Sequence, residues 1–515
     1  METQRKEFIH GCHSTGIERR IAEKIFDLVE YFSGYGFNKC VVGSTEIVDA
    51  QTGKVVTVKE LFDNKDIMKF TLSCDDNLKI VKAKIKDVVK NGIKPVYKLK
   101  TALGREIVAT ANHPIFTFCG WKNLGDLNIG ERIGLYKTSP PLGHQLLEPY
   151  KIIVLAGVIS EGNTCHPSGI YYYNNDTVMV DDFVENLKKF DNTFPKILNR
   201  RGCFEVYGGT GKDTKFFSGQ SAWNKGFDKD TYSVAIASWP NKKSGARLWI
   251  EQLGLVYKKA AEKFIPKEIF CLNKEQLALF IGRLWSGDGF LFSKNNSVPF
   301  YASSSLKLSM QLQDLLLRFG IVTRLVQKKF NYKYKDFKKV KVGYALYLYG
   351  YDSINIFIQH ICPFIIGRGK QIDELCNYYK NVPPNLETKD TLPAEIKQVV
   401  KEEKEKLKLT WRDLEERTGI CIKEFYGRIK PYKKGFRRHT ILSLAQFFES
   451  DRLLRFVNSD ITWDRVESVE YFGREQTYDL EIEGTHNFIA NGIIVHNSHS
   501  SAYALISYRT AYLKA

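Results

Sequence analysis

Apolar residues at positions 21, 25, 26, 28, 29 and 32 of the stretch ERRIAEKIFDLVEYF recur at helical spacing and predict a helix over 18–32. Gly34, Gly36 and Asn38 stop it. From residue 40 the pattern changes: CVVGSTEIVDAQTGKVVTVKELF is β-branched and turn-rich, which predicts short strands. The same texture returns in TYDLEIEGTHNFIANGIIVHN, just before a final helical stretch, SHSSAYALISYRTAYLKA, with Ser498 placed to cap it. Between these ends, VLAGVISEG (154–162) and IGRLWSGDG (281–289) are short apolar helical segments that each finish on an acid followed by glycine. The Lys/Tyr-rich stretches after them, 165–245 and 290–350, read as strands. Within the second, RLVQKKFNYKYKDFKKVK (324–341) holds eight Lys/Arg against the single Asp336, with aromatic residues alternating among the cations. That alternation predicts a cationic strand face, and a solvated edge strand reads the same way. Residues 409–448 read as helix, turn at Gly419, helix, basic loop and helix, the pattern either of a helix-turn-helix module or of an ordinary helical hairpin.

Composition sharpens this picture. A length of 515 residues implies several domains, and 43% hydrophobic residues suffice for large cores. No apolar run is long enough to span a bilayer, and the charged opening METQRKEFIH lacks the apolar core of a secretory signal. The ten cysteines contain no CxxC pair, which argues against a zinc ribbon or disulfide scaffold and fits a reducing, cytoplasmic setting. The formal charge of +18 points to an anionic partner, nucleic acid above all, with a solvated Lys-rich surface as the alternative.

Removing residues 40–497 joins the ends as EYFSGYGFNK–SHSSAYALISYRTAYLKA, which resembles a segment of the bacterial replicative DNA polymerase III alpha subunit. The 458 residues between, Cys40–Asn497, resemble an intein, a self-excising protein. The features that carry the likeness are Cys40 with VVGSTEIVDAQTG, Thr110-x-x-His113 in GREIVATANHPIFT, and the block ending His496-Asn497 before Ser498. The resemblance implies an all-β, horseshoe-like Hint splicing domain in two parts, 40–140 and 459–497. It also implies polymerase flanks at 1–39 and 498–515, short and helical. Of the net charge, the flanks hold 8 basic and 6 acidic residues, so the insert carries +16.

The chemistry implied is an acyl shift, a transesterification and an asparagine cyclisation, without ATP or any cofactor. Cys40 sits directly after the Lys39 carbonyl and reaches it through a five-membered ring to give a thioester. His113 would protonate the leaving nitrogen, and Thr110 with nearby backbone N–H groups would stabilise the oxygen. Asp479 would activate Ser498 for attack on the thioester. Asn497 would then close a succinimide, with His496 and His486 moving protons and polarising its carbonyl. An ester-to-amide shift finishes the Lys39–Ser498 bond.

The paired segments at 154–162 and 281–289 resemble the signatures of LAGLIDADG homing endonucleases, the second with Gly-Arg where Arg-Gly is commoner. That resemblance implies an α+β nuclease of two αββαββα repeats at 141–395, followed by a helical, helix-turn-helix-like domain at 396–458. Small residues Ala156, Ser160 and Gly282 would let the two helices pack closely. Glu161 and Asp288 would converge to hold Mg²⁺ between scissile phosphates. DNA contacts fall to Lys328, Lys329, Lys333, Lys335, Lys338 and Lys339, and to Lys423 and Arg428, with Lys433, Lys434, Arg437 and Arg438 in the following loop. The partners implied are double-stranded DNA of the intein-free polymerase gene and, for the spliced product, the polymerase holoenzyme; no membrane is involved. The competing reading is a splicing-only intein whose nuclease survives as an inactive scaffold.

Overall fold

The computed structural model describes residues 39–138, 143–200, 202–210, 243–334, 337–383, 389–421, 423–426 and 435–497. The expected flanking helices lie outside these residues. The described chain divides into two compact units, one built from residues up to 51, 55–136 and 390 onwards, the other from 52–54 and 137–389.

The first unit is organised by two very long strands. Ile80–Thr101 and Ile461–Ile482 pair antiparallel along most of their 22 residues each, with four register shifts that bend the ribbon. Around them runs an antiparallel sheet that includes Val41–Val42, Glu106–Ala109, Pro114–Thr117, Arg132–Tyr136, Asn487–Ala490 and Ile493–His496. Hydrophobic alternation buries Val96, Leu99, Ile107, Leu480 and Ile482 on the inner side. The two ends of the 40–497 segment thus belong to one sheet, with Val41 opposite both Tyr478 and Ala109. The unit is not purely β. Val58–Asp63 forms a helix because Thr57 and Glu60 close a reciprocal capping box.

Residues 390–458 belong to this first unit as well. They form helices Ile396–Lys406, Trp411–Thr418, Arg438–Phe447 and Asp451–Val457, with a four-residue turn of helix at Lys423–Tyr426. Gly419, at φ +66°, ends the second of these helices. Arg438 is not a loop cation. It starts a helix, pairs with Asp390 at 2.8 Å and donates to the carbonyls of Phe456 and Val457 at the end of the Asp451–Val457 helix.

The second unit repeats one element order twice. Helix Pro149–Glu161 leads into strands Gly162–Asn163 and Ile170–Asn174, helix Thr177–Leu187, strands Phe194–Arg200 and Cys203–Gly209, and helix Gly245–Gln252. Helix Lys274–Asp288 then leads into Gly289–Phe290, Phe300–Ser303, helix Leu306–Leu317, strands Thr323–Tyr334 and Phe337–Leu348, and helix Tyr351–His360. Each half carries a four-stranded antiparallel sheet. The stretches read as continuous strand therefore each contain a helix. Asp176 and Ser305 cap them, and Val180, Phe183, Val184 and Leu187, or Leu308, Leu312, Leu315 and Leu316, supply buried faces at helical spacing.

Candidate functional site

The residues that the sequence assigns to splicing and that the structure describes lie in the first unit. Pairing of Val41 with Ala109 sets Thr110 across from Cys40: the Cys40 N–H donates to Thr110 Oγ1 at 3.1 Å, and the Thr110 N–H donates to the Cys40 carbonyl at 3.0 Å. Thr110 therefore grips the nitrogen side of the Lys39–Cys40 bond, not the oxygen side that the sequence assigned to it. His113 turns back in the next few residues, its N–H donating to the Thr110 carbonyl. Its ring is buried, and neither ring nitrogen makes a hydrogen bond of full geometry. Burial pushes the imidazole down to about 3, against a smaller opposing pull from the Lys39 backbone. At neutral pH it is uncharged, so it must accept a proton before it can protonate the leaving nitrogen.

The Cys40 thiol is fully buried, and burial raises it above its ordinary range. Asp479, on the Ile461–Ile482 strand, adds to the rise, while Lys94, Asn91 and Thr477 oppose it. Asn91 Nδ2 lies 3.3 Å from the sulfur and Lys94 Nζ 3.5 Å. Sequence reading missed both: they sit mid-strand in KNGIK, where lysine looks like any solvated strand position. The Asn-Gly pair, a turn signal inside a long strand pattern, was the one available clue.

At the other end, Asn497 is completely buried. Its backbone N–H donates to the His486 carbonyl at 3.0 Å and its Nδ2 to the Ile482 carbonyl at 3.3 Å. His486 takes a left-handed backbone, φ +54°, so what it gives this network from the main chain is its carbonyl. His496 Nδ1 lies 2.5 Å from the Asn497 carbonyl oxygen, which can only accept; the proton is therefore on Nδ1. Trp121 stands edge-on to the His496 ring, centroids 4.8 Å apart. Ser498 lies outside the described residues.

The second unit holds the acid pair. Asn273 caps helix Lys274–Asp288 and Pro149 opens helix Pro149–Glu161, and both helices end at a glycine. They touch through Gly287, where a Cβ would meet the Ser160 Cβ at 2.6 Å and the Glu161 Cγ at 3.5 Å. Gly282 does not serve this contact, since it faces Phe364. Asp288 is pushed up to about 7, by burial and then by Glu161; Glu161 is raised by burial. Lys263 and Tyr301, neither singled out by sequence, complete the cluster. Tyr301 donates to Asp288 at 3.3 Å, and Lys263 donates to the Val158 and Gly162 carbonyls at 2.9 Å each. Asp288, Lys263, Ser160 and Tyr344 line a cavity of about 250 Å³. Among the described residues no group of three or more acids, histidines or cysteines is placed to hold a metal ion. A pair of buried carboxylates, one of which raises the proton affinity of the other, nevertheless suits a hard cation that keeps water and phosphate oxygens as its other ligands.

Among the described residues, the basic side chains assigned to DNA differ in exposure. Lys329 is exposed, whereas Lys328 is half-buried against Tyr347 and lies 5.7 Å from the Phe300 ring centroid, because adjacent residues of a strand point to opposite faces. Lys423 is exposed. Lys335 and Arg428, with Lys433 and Lys434, lie outside the described residues, as do the side chains of Lys333, Lys338 and Lys339.

A family model described as the intein splicing domain matches residues 47–497. Similar curated proteins include the replicative DNA helicase DnaB of Synechocystis sp., 30% identical over 466 residues, 89% of this chain and 49% of that protein. DnaB of Rhodothermus marinus is 28% identical over 467 residues, covering 89% and 46%. RecA of Mycobacterium tuberculosis is 22% identical over 478 residues, covering 89% and 56%. The chain spans about half the length of the curated relatives it matches. Among solved structures, a DnaB intein from Synechocystis sp. is 41% identical over 19% of this chain and 67% of its own, with a TM-score of 0.17. Variants of the homing endonuclease I-DmoI are 10% identical over 42% of this chain and 96% of their own, with a TM-score of 0.23.

Proposed function

The chain belongs to the intein splicing domain family, and on that premise we propose that it excises Cys40–Asn497 and joins Lys39 to Ser498. The observation that carries this reading is the pair of poised junctions: Cys40 N–H on Thr110, and His496 on the Asn497 carbonyl. His113 accepts the Cys40 thiol proton; the sulfur attacks the Lys39 carbonyl, and the nitrogen, held by Thr110, leaves with that proton. Ser498 attacks the thioester with Asp479 as its activator. Asn497 Nδ2 then attacks its own carbonyl, whose growing negative charge falls on His496 Nδ1–H. Cys40→Ala should stop thioester formation yet permit slow cleavage before Ser498. Asn497→Ala should block that cleavage and leave a thiol-sensitive upstream bond. Normal ligation in either variant would overturn the assignment.

We propose further that the flanks are part of a bacterial DNA polymerase III alpha subunit. The family match lies wholly within Cys40–Asn497, and the curated proteins similar to this chain include both DnaB helicases and RecA, matched over the same 89% of it. Because proteins of such different names match the same chain, those names do not decide the host. The joined sequence GYGFNK–SHSSAYA supports the polymerase reading.

For the second unit we propose site-specific cleavage of double-stranded DNA at the intein-free allele. The twice-repeated element order and the raised acid pair support it. Glu161 and Asp288 would hold Mg²⁺, which supplies charge neutralisation at phosphate and an activated water. Tyr301 would orient Asp288, the charge of Lys263 would favour the ionised acids, and the exposed Lys329 would meet backbone phosphate. A plasmid carrying the joined site should be cut, and one carrying the intein gene spared. Equal cutting of both would refute a homing role, and no cutting of either would favour an inactive scaffold.

A further inference from the structure

The upstream nucleophile has two donors that no step above uses. The Ile80–Thr101 strand is in register with its partner at Ile93↔Gln476 and again at Lys90↔Tyr478, so Asn91 and Gly92 together face the single residue Thr477. This is a β-bulge, and Gly92 adopts φ +78°, the left-handed conformation that favours glycine. Thr477 Oγ1 and Gln476 Nε2 fix it by donating to the Gly92 carbonyl at 2.9 and 3.1 Å. The extra residue re-aims the strand so that Asn91, within the bulge, and Lys94, beyond it, both point at one atom, the Cys40 sulfur, at 3.3 and 3.5 Å.

We propose that Lys94 and Asn91 are catalytic residues of the first splicing step, forming a cradle for the Cys40 thiolate; this rests on the acyl-shift reading above. The reaction is an internal exchange. The thiol proton leaves sulfur and ends on the Cys40 nitrogen, the Lys39 C–N bond breaks, a C–S bond forms, and no co-reactant is consumed. Its costly moment is the buried sulfur anion, because burial disfavours the charged form. The charged and titratable groups around that sulfur are Lys94 and Asp479, with His113 at the adjoining Lys39 backbone. Lys94 and Asn91 favour the anion, as does Thr477, whereas Asp479 opposes it. Cys40 thus reacts with the upstream carbonyl while staying protonated at rest.

The test uses the full chain carrying Asn497→Ala, in which thiol releases the upstream fragment. Two readouts are followed against pH: the rate of that release, and the carbon-13 shift of the Cys40 β-carbon. Lys94→Met should slow release about tenfold at neutral pH and move the titration upward by about one pH unit. Lys94→Arg should restore most of both, and Asn91→Asp, which sets a carboxylate beside the sulfur, should slow release at least as much as Lys94→Met. Should Lys94→Met not fold, Lys94→Arg against Asn91→Asp carries the same contrast. A Lys94→Met chain with the parent's titration and release rate, or an Arg variant no better than Met, would overturn the proposal. If the parent itself released nothing with thiol, the acyl-shift reading would fail instead, and the β-carbon titration would still report on Lys94.

Discussion

His496 Nδ1 stands 2.5 Å from the carbonyl oxygen of Asn497, the carbonyl that the Asn497 side chain must attack. The main chain places it there: Asn487 pairs with His496, and the Asn497 N–H is anchored on the carbonyl of His486. The donor is in position before charge develops, which is where a hydrogen bond accelerates most. His496→Ala should slow cleavage before Ser498 at least 100-fold while the upstream bond stays thiol-sensitive. Gel densitometry of the three fragments reads both. Equal loss at the two junctions would mean that His496 only holds the fold.

Thr110→Val keeps the shape and removes the acceptor of the Cys40 N–H. Leaving that buried donor unsatisfied costs about 1–3 kcal/mol, and the scissile nitrogen loses its anchor. Thiol-induced release of the upstream fragment should fall about 10- to 100-fold, with cleavage before Ser498 nearly unchanged. A release rate equal to wild type would show that the contact is merely structural.

His113 makes the stability of the first unit pH-dependent. Its folded-state value is depressed to about 3, against an ordinary value of 6.5. The unfolded chain therefore binds a proton that the folded chain refuses, and stability falls as pH drops below 6.5. At pH 5 the loss is about 2 kcal/mol for this one group. Urea unfolding of a splicing-blocked chain at pH 7 and pH 5, with and without His113→Leu, isolates it. The leucine variant should lose markedly less stability on acidification; an unchanged loss would show that His113 is not the group responsible.

The splicing blocks were legible because each carries a local motif: Cys40 with VVGSTEIVDAQTG, Thr110-x-x-His113, and His496-Asn497. The geometry was not. Thr110 binds nitrogen rather than oxygen because of strand register, which a single sequence does not state. Lys94 and Asn91 escaped notice because a bulge, not a motif, aims them. The acid pair stood out as two acid-glycine helix ends, whereas Lys263 reaches it from a different segment, KFIPKEIF, that carries no local signal. Strand alternation was readable around 324–341, yet the same alternation sends Lys328 and Lys329 to opposite faces.

Asp288, raised to about 7 by burial and by Glu161, should release its proton when a divalent cation binds. Mg²⁺ affinity of the intact chain should therefore strengthen between pH 6 and pH 8, by up to about tenfold per unit below the midpoint. Calorimetry in two buffers of different ionisation enthalpy counts the protons released. Asp288→Asn should abolish both the pH dependence and DNA cleavage, with splicing intact. Affinity flat across that range would contradict a cation held by this pair.

Intact-mass spectrometry of the freshly purified wild-type chain over time tests the splicing claim most directly. Excision with ligation turns the 515-residue precursor into a 458-residue fragment and a 57-residue product. Because Asn497 leaves as a succinimide and one peptide bond is re-formed, no water is taken up at the moment of splicing. The two masses should therefore sum to that of the precursor, and tandem spectra of the smaller product should read GYGFNKSHSSAYA across the joint. Persistence of the precursor alone, or separate flanks never joined, with the three fragments summing to the precursor plus one water, would contradict it.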